Sequence, residues 1–146
     1  MILTADATVS VFLNVTGLGF DLYSGLSFSQ LLYVSNDDEF LGLMICFREK
    51  SGRQSVNYKF FNDKEDKFTY VDRIAIKGAH GRKGIGPSLY KELFKLSSSN
   101  QVSICCEVYT SPLNQVSLNF HYKNRFTTVG KRKFENYTVA DLTKTA

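Results

Sequence analysis

The sequence predicts an α/β (α+β) fold, a mixed central β-sheet with helices flanking it. Three observations carry this. In QVSICCEVY (101–109), Val102, Ile104, Cys106 and Val108 alternate with Ser103, Cys105, Glu107 and Tyr109, the period-two pattern of a strand. Just upstream, Ile85, Leu89, Leu93 and Leu96 recur on one face at helical spacing. From residue 68 onwards strand and helix signals alternate, which implies a sheet covered by helices.

The hairpin comes first in chain order. LLYVS (31–35) and FLGLMICF (40–47) are short strands joined by the turn residues NDDE, together a β-hairpin. Residues 48–67 are polar and charged apart from an aromatic knot at Tyr58, Phe60 and Phe61. That length marks a long excursion with room for one helical turn. FTYVDRIAI (68–76) is a strand, followed by a glycine-rich loop and a helix from about Gly86 to Ser97, with Pro87 suited to its first turn. After the 101–109 strand, SPLN starts a second helix, Asn114 to Asn124. FTTVGKRKFENYTVADL closes the pattern as two strands with a turn near residues 131–135. Residues 1–29 fit two readings: Val9, Phe12, Leu13 and Thr16 form a helical stripe, whereas Val9, Val11 and Leu13 alternate as in a strand.

The whole chain, 146 residues, suits a single domain with one core. At 43% apolar and 22% charged it has the composition of a soluble globular protein. Its three cysteines, Cys46, Cys105 and Cys106, lack the CxxC spacing of a metal or redox site. They point to reduced thiols and a cytoplasmic setting, with no metal. Residues 7–20 are apolar, but no Lys or Arg precedes them and Asp21 interrupts the run. That argues for packed structure over an export or membrane signal. The net charge of +4 is uneven: residues 1–71 hold six Lys/Arg against nine Asp/Glu, and residues 72–146 hold twelve against five. An anion is therefore expected on the second half. The interleaved aromatics of a nucleic-acid stacking platform are missing, so no nucleic-acid partner is expected.

The loop KGAHGRKGIGPSLY (77–90) has the look of a phosphate cradle. A P-loop needs Gly-Lys-Ser/Thr, but here Lys83 precedes Gly84 and Ile85 stands at the hydroxyl position. The dinucleotide fingerprint needs a third glycine where Leu89 stands. Strand, short loop, Q/R-x-x-G-x-G/A and helix is the remaining formula, and IAIKGAHGRKGIGPSLY resembles it. This is the acetyl-CoA motif of the GNAT acyltransferases. Gly84 and Gly86 take the motif glycines, while the Gln/Arg position is Gly81, with Arg82 next to it. A helix N-terminus offers free amides and a positive dipole end to a pyrophosphate.

A second run, PLNQVSLNFHYKNRF (112–126), resembles the later motif of the same superfamily. Asn114, Ser117, Phe120 and Phe126 match, His121 replaces the usual Tyr, and Arg125 replaces the usual Gly. With FTYVDRIAI and VNYKFF, the phrase CCEVYTSPLNQVSLNFHYKNRF looks like a GNAT subgroup whose strand often reads CEVN and whose helix carries FH. The resemblance covers about residues 30–140, leaving 1–29 atypical.

The resemblance implies an N-acetyltransferase moving an acetyl group from acetyl-CoA, its cosubstrate, to a primary amine of a small molecule or protein. It implies cofactor contacts from the strand end Ile74, Ala75 and Ile76, from Arg82, Lys83, Gly84, Ile85, Gly86, Pro87 and Ser88, and from Asn114, Ser117 and Phe120. His121 stands where the family's Tyr protonates the departing sulfur, and imidazole chemistry suits that work. Tyr122 lies beside it, about 100° around the helix. Asp72 and Glu107 are the candidate bases for the incoming amine. For each the competing reading is a salt bridge to Arg73, Lys123 or Arg125, and for His121 it is a hydrogen-bonded core histidine. Asp72 should share a face with Ile74 and Ile76, two and four residues on. The alternative function is a GNAT-like domain that binds CoA without turnover or serves protein interaction. A homodimer and a monomer are equally open.

Overall fold

A computed structural model describes residues 8–15, 28–35, 40–76 and 84–146. Among these residues there are seven strands and three helices. The strands are β1 (Thr8–Val15), β2 (Phe28–Ser35), β3 (Phe40–Arg48), β4 (Phe68–Ile76), β5 (Ser103–Ser111), β6 (Thr127–Lys133) and β7 (Thr138–Lys144). They form one sheet in the order β1-β2-β3-β4-β5-β7-β6. Three helices, α1 (Val56–Asn62), α2 (Ile85–Asn100) and α3 (Gln115–Lys123), cover it. This is the mixed, helix-flanked sheet that the sequence predicts. For residues 8–15 the strand alternative is the one formed, pairing antiparallel with β2.

Each face of the sheet has its own apolar cluster, set by the period-two alternation of the strands. On one face Met44, Cys46, Val71, Ile104, Cys106, Val108, Ala140 and Leu142 pack beneath Ile85, Leu89 and Leu93 of α2 and Leu118 of α3. Fully burying a Leu of this kind contributes about 1.5–3 kcal/mol. On the other face Phe47, Phe68, Tyr70 and Cys105 pack beneath Tyr58 and Phe61 of α1. Ser55 caps α1, its hydroxyl accepting from the Tyr58 amide at 3.1 Å. Helix α2 runs on through the serines to Asn100, beyond the expected end near Ser97. Gln101 then stops it in a left-handed conformation (φ 54°). Ser97 is drawn inside because its hydroxyl donates to the Val102 carbonyl.

Two departures from regularity shape the middle of the sheet. All neighbouring strands are antiparallel except β4 and β5, which run parallel and pair only through Phe68–Ser103, Thr69–Ile104 and Tyr70–Cys105. Both strands are nine residues long, so beyond Tyr70 they splay apart. Opposite β3, Ile45 pairs with Arg73 but Cys46 pairs with Val71, leaving Asp72 as the extra residue of a β-bulge. The bulge resets the alternation. Ile74 pairs with Met44 and so lies on the α2 face. Asp72 instead reaches Arg53, in the segment before α1, at 3.1–3.3 Å. The expectation that Asp72 shares a face with Ile74 and Ile76 is therefore corrected, because regular alternation does not survive the bulge.

Gly42 of β3 sets how closely the first turn of α2 approaches the sheet. A methyl group there would lie 2.8 Å from Cγ2 of Ile85 and 3.2 Å from the Ala75 carbonyl oxygen. Gly42→Ala is expected to cost about 1–3 kcal/mol through overpacking, read as a lower midpoint in chemical denaturation. An unchanged midpoint would mean that Ile85 has room to retreat.

Candidate active site

The splay between β4 and β5 opens a cleft through the sheet. Its strand walls are Val71, Asp72, Arg73 and Ile74 on one side and Cys106 and Glu107 on the other. Tyr90 of α2 and Ser117 and His121 of α3 close it from the helical face. The β4 backbone from residue 71 to 76 pairs with β3 on one edge and makes no ladder with β5 on the other. Among the described residues these strand groups have no ladder partner on that edge, and a ligand amide or carbonyl can bond there.

Glu107 is the charged group that β5 brings to the cleft. Its carboxylate accepts hydrogen bonds from the Tyr70 hydroxyl at 2.9 and 3.1 Å and from Nδ2 of Asn57 at 3.2 Å. Neither Lys123 nor Arg125 pairs with it; both are exposed. Burial pushes its carboxyl up to about 7, opposed by the bond from Tyr70 and by the charge of Arg132. Arg132 is itself held by Asp141, a fully buried carboxylate that Nε contacts at 2.9 Å, and by Oδ1 of Asn57 at 2.8 Å. The same surroundings push the Tyr70 hydroxyl well up, burial first and then the Glu107 charge, so Tyr70 is the donor of that pair. A carboxyl titrating near neutrality, in a cleft, is where general-base chemistry is sought.

His121 is buried, with 4% exposure, yet lines the helical side of the cleft. Its Nδ1 lies 2.7 Å from the Ser117 carbonyl oxygen, which can only accept, so Nδ1 carries the proton. Nε2 is then an acceptor, and the Tyr90 hydroxyl donates to it at 2.9 Å. Burial lowers the His121 pKa, opposed by the Ser117 bond, which keeps the ring neutral. Rings of Tyr90, Phe120 and Phe126 surround it edge-on at 4.9–5.3 Å. The core-histidine reading and the site reading are thus both met in one residue.

The remaining residues divide clearly. Asn114 caps α3, accepting from the Ser117 amide at 3.1 Å. Ser117 lines the cleft, and Phe120 packs at 5.0 Å on Tyr90. Tyr122 is not brought to the cleft: it is 47% exposed and bonds Thr128 at 3.0 Å, as its 100° offset from His121 requires. Asp72 lines the cleft but is paired with Arg53, not with Arg73, Lys123 or Arg125. Ile74 and Ala75 are exposed and Ile76 half-buried. Arg82 and Lys83 lie outside the described residues. Gly84 begins α2 in a left-handed conformation (φ 66°) without a side-chain cap. The amides of Ile85 and Gly86 fall in the first turn, where the helix itself offers no acceptor, and Pro87 has none to offer. Ser88 closes the turn, its amide donating to the Gly84 carbonyl at 3.2 Å. Among the described residues, a side chain at Gly86 would meet nothing closer than Ile74, at 3.9 Å. Packing within the chain therefore does not require a glycine there, whereas an anion approaching the backbone does.

Sequence reasoning missed Tyr90, Asn57, Tyr70 and Arg132. Tyr90 stands beside Leu89 of the apolar stripe and reads as core, and the others come from separate elements with no shared spacing. Among the described residues no group of three or more His, Cys, Asp or Glu is placed to hold a metal. All three cysteines are buried and free. No helix among the described residues is long and apolar enough to cross a membrane.

A glycine-opened helix joining two parallel strands that splay apart is the arrangement the sequence motif leads one to expect of an acetyltransferase, and comparison agrees. The family model "Acetyltransferase (GNAT) family" matches residues 17–126, and the chain belongs to that family. No curated protein matches by sequence. Among solved structures, the ribosomal-protein-S18-alanine N-acetyltransferase from Escherichia coli superposes with TM-score 0.63 at 10% identity, over 94% of each chain. Arabidopsis thaliana Naa50, in complex with a bisubstrate analogue, gives 0.61 at 17% identity, over 80% of this chain and 72% of its own. Arabidopsis thaliana NAA60, also in complex with a bisubstrate analogue, gives 0.59 at 15%, over 83% and 76%. At these identities the likeness concerns the fold.

The shift of Glu107 has a consequence for stability. A carboxyl with a folded pKa of about 7 against an ordinary 4.5 favours folding below pH 4.5 and opposes it increasingly as pH rises through 7. The difference of 2.5 units (7 minus 4.5) corresponds to on the order of 3 kcal/mol at most. Glu107→Gln is therefore expected to melt higher than wild type at pH 8, with the gap closing by pH 4. A variant less stable at both pH values would contradict the burial of a reluctant charge.

Proposed function

We propose that this chain is an acetyl-CoA-dependent N-acetyltransferase, a single catalytic domain acting on a primary amine, with Glu107 as general base. The observation that carries the reading is a carboxyl titrating near neutrality at the point where β4 and β5 part. The solved relatives bound to bisubstrate analogues, one of them containing CoA, support the same cosubstrate here.

In this reading the first turn of α2, Gly84 to Ser88, takes the pyrophosphate, and Arg82 and Lys83 add charge from the preceding loop. The unpaired edge of Ile74, Ala75 and Ile76 bonds the pantetheine amides, and Asn114, Ser117 and Phe120 flank the arm. An ammonium group at neutral pH is deprotonated at only about one part in 10³. Glu107 takes that proton, directly or through a water, and only then does the free nitrogen attack the thioester carbon; the second proton that the nitrogen sheds as the amide forms passes to solvent. The C–S bond then breaks and the electron pair leaves on sulfur. His121, with its proton on Nδ1 committed to Ser117, holds the Tyr90 hydroxyl by Nε2 instead of donating itself. Tyr90 turns its O–H to the thiolate. Burial raises the Tyr90 pKa well above its usual value, so it stabilises the thiolate by a hydrogen bond and solvent supplies the final proton. Asp72, tied to Arg53, shapes the field around Glu107 and does not carry the proton. A carboxyl raised to about 7 where the cleft opens fits a base, and this supports the catalytic reading over a CoA-binding domain without turnover.

Acetyl-CoA at millimolar concentration is expected to raise the melting temperature, and acetyl transfer to a broad amine panel to accompany it. Binding without transfer would favour the non-catalytic alternative. kcat/KM should rise with pH through about 7 and level off above it, as the basic form of Glu107 becomes populated. Glu107→Gln should lower kcat by about 10²–10⁴-fold and abolish that rise. Gly86→Ala should leave the fold as stable or more so, since Ala is favoured over Gly in a helix by up to about 1 kcal/mol. The same change should weaken acetyl-CoA several-fold by filling the phosphate approach, and unchanged affinity would place the phosphates elsewhere.

A further inference from the structure

The cleft also holds a cation that the proposed chemistry does not use. Arg73 follows the bulged Asp72 on β4 and lines the same cleft as Glu107. Its partner across the ladder is Ile45, which packs against the α1-side cluster, so Arg73 lies on that face of the sheet. Glu107 is held from the same side, by Asn57 of α1 and by Tyr70. Tyr90 and His121 stand on the opposite side, towards α2 and α3. The two faces of the cleft thus differ in charge as well as in chemistry.

Three charged side chains line the cleft: Asp72, Arg73 and Glu107. Asp72 is already neutralised by Arg53. Glu107 is half-protonated near neutrality. Arg73 is exposed and makes no ion pair or side-chain hydrogen bond among the described residues. With Asp72 paired, Arg73 is the cation lining the cleft that has no partner among the described residues, and its local field is positive. Such a field disfavours an acceptor that brings further cations. It favours one whose amine is accompanied by an anion, which the guanidinium fork binds with two parallel hydrogen bonds. It also favours the free amine over the ammonium, which is the form that attacks. Both side chains line the same cleft, and both belong to its α1 side.

We infer that Arg73 selects the acceptor: the substrate is a primary amine carrying a carboxylate a few bonds away, such as a peptide amino terminus followed by an acidic residue. This rests on the N-acetyltransferase reading above. Three otherwise identical short peptides with glutamate, glutamine or lysine as the second residue, given with acetyl-CoA, provide the test. Wild type should prefer the glutamate peptide over the lysine peptide by about tenfold in kcat/KM, in line with one charge-assisted hydrogen-bonded pair, and mainly through KM. Arg73→Gln should bring the three peptides within about twofold of one another, and Arg73→Glu should reverse the order. The acetyl-CoA-induced rise in melting temperature, unchanged in both variants, shows that they fold and bind. Equal rates in wild type, or a preference that survives Arg73→Gln, would overturn the assignment while leaving the transferase reading intact. Failure of wild type to acetylate any amine would overturn the transferase reading, and this assignment with it.

Discussion

The site depends on a parallel strand pair that stops pairing. β4 and β5 are joined by a three-residue ladder and then part, although both continue for several residues more. Backbone groups in a sheet are normally satisfied by the next strand, and an unpaired edge inside a fold is costly. Here the outer neighbours, β3 and β7, stay paired to the ends of the two strands and hold the gap open. The parting strands make one opening that reaches both faces of the sheet. One face presents the start of α2, Tyr90 and His121, and the other presents Glu107. Two reactants can thus meet through the sheet without sharing an entrance.

The second constraint is the environment of Glu107. A buried carboxylate without a counter-ion is reluctant to ionise. Tyr70 and Asn57 give it hydrogen bonds, while the nearby cation Arg132 is committed to buried Asp141 and reaches Glu107 only across Asn57. Had Arg132 bonded Glu107 directly, the carboxyl would titrate in its ordinary range and make a weak base. Asn57 therefore acts as a spacer between a structural ion pair and the carboxyl proposed as the base. Arg132 also lies over the Phe60 ring at 4.5 Å, and Gly130 leaves the space Phe60 occupies, with no room for a side chain. The β6–β7 hairpin and α1 are in this way tied to the cleft.

Local pattern made the elements legible. The alternation in 101–109, the stripe from Ile85 to Leu96 and the helix start at SPLN each depend on neighbours in sequence, and each formed close to where it was expected. The first turn of α2 was legible because only a glycine-opened helix start has that spacing. The features that make the cleft were not legible. A parallel ladder of three residues leaves no sequence mark, and the bulge at Asp72 inverts the faces that regular alternation assigns. The Glu107 network joins residues 57, 70, 107 and 132 from four elements, and the Tyr90–His121 bond joins two helices. Tertiary packing determines all of these. The position of His121 was readable from the motif, but its protonation state was not, because that depends on where the Ser117 carbonyl points.

The central claim is that the open edge of β4 is where the cosubstrate is held. Amide hydrogen exchange, compared with and without acetyl-CoA, tests it most directly. The account predicts that protection gained on binding concentrates at residues 71–76 and at the amides of Ile85 and Gly86. Binding that leaves residues 71–76 exchanging as before, with protection elsewhere in the sheet, would contradict it.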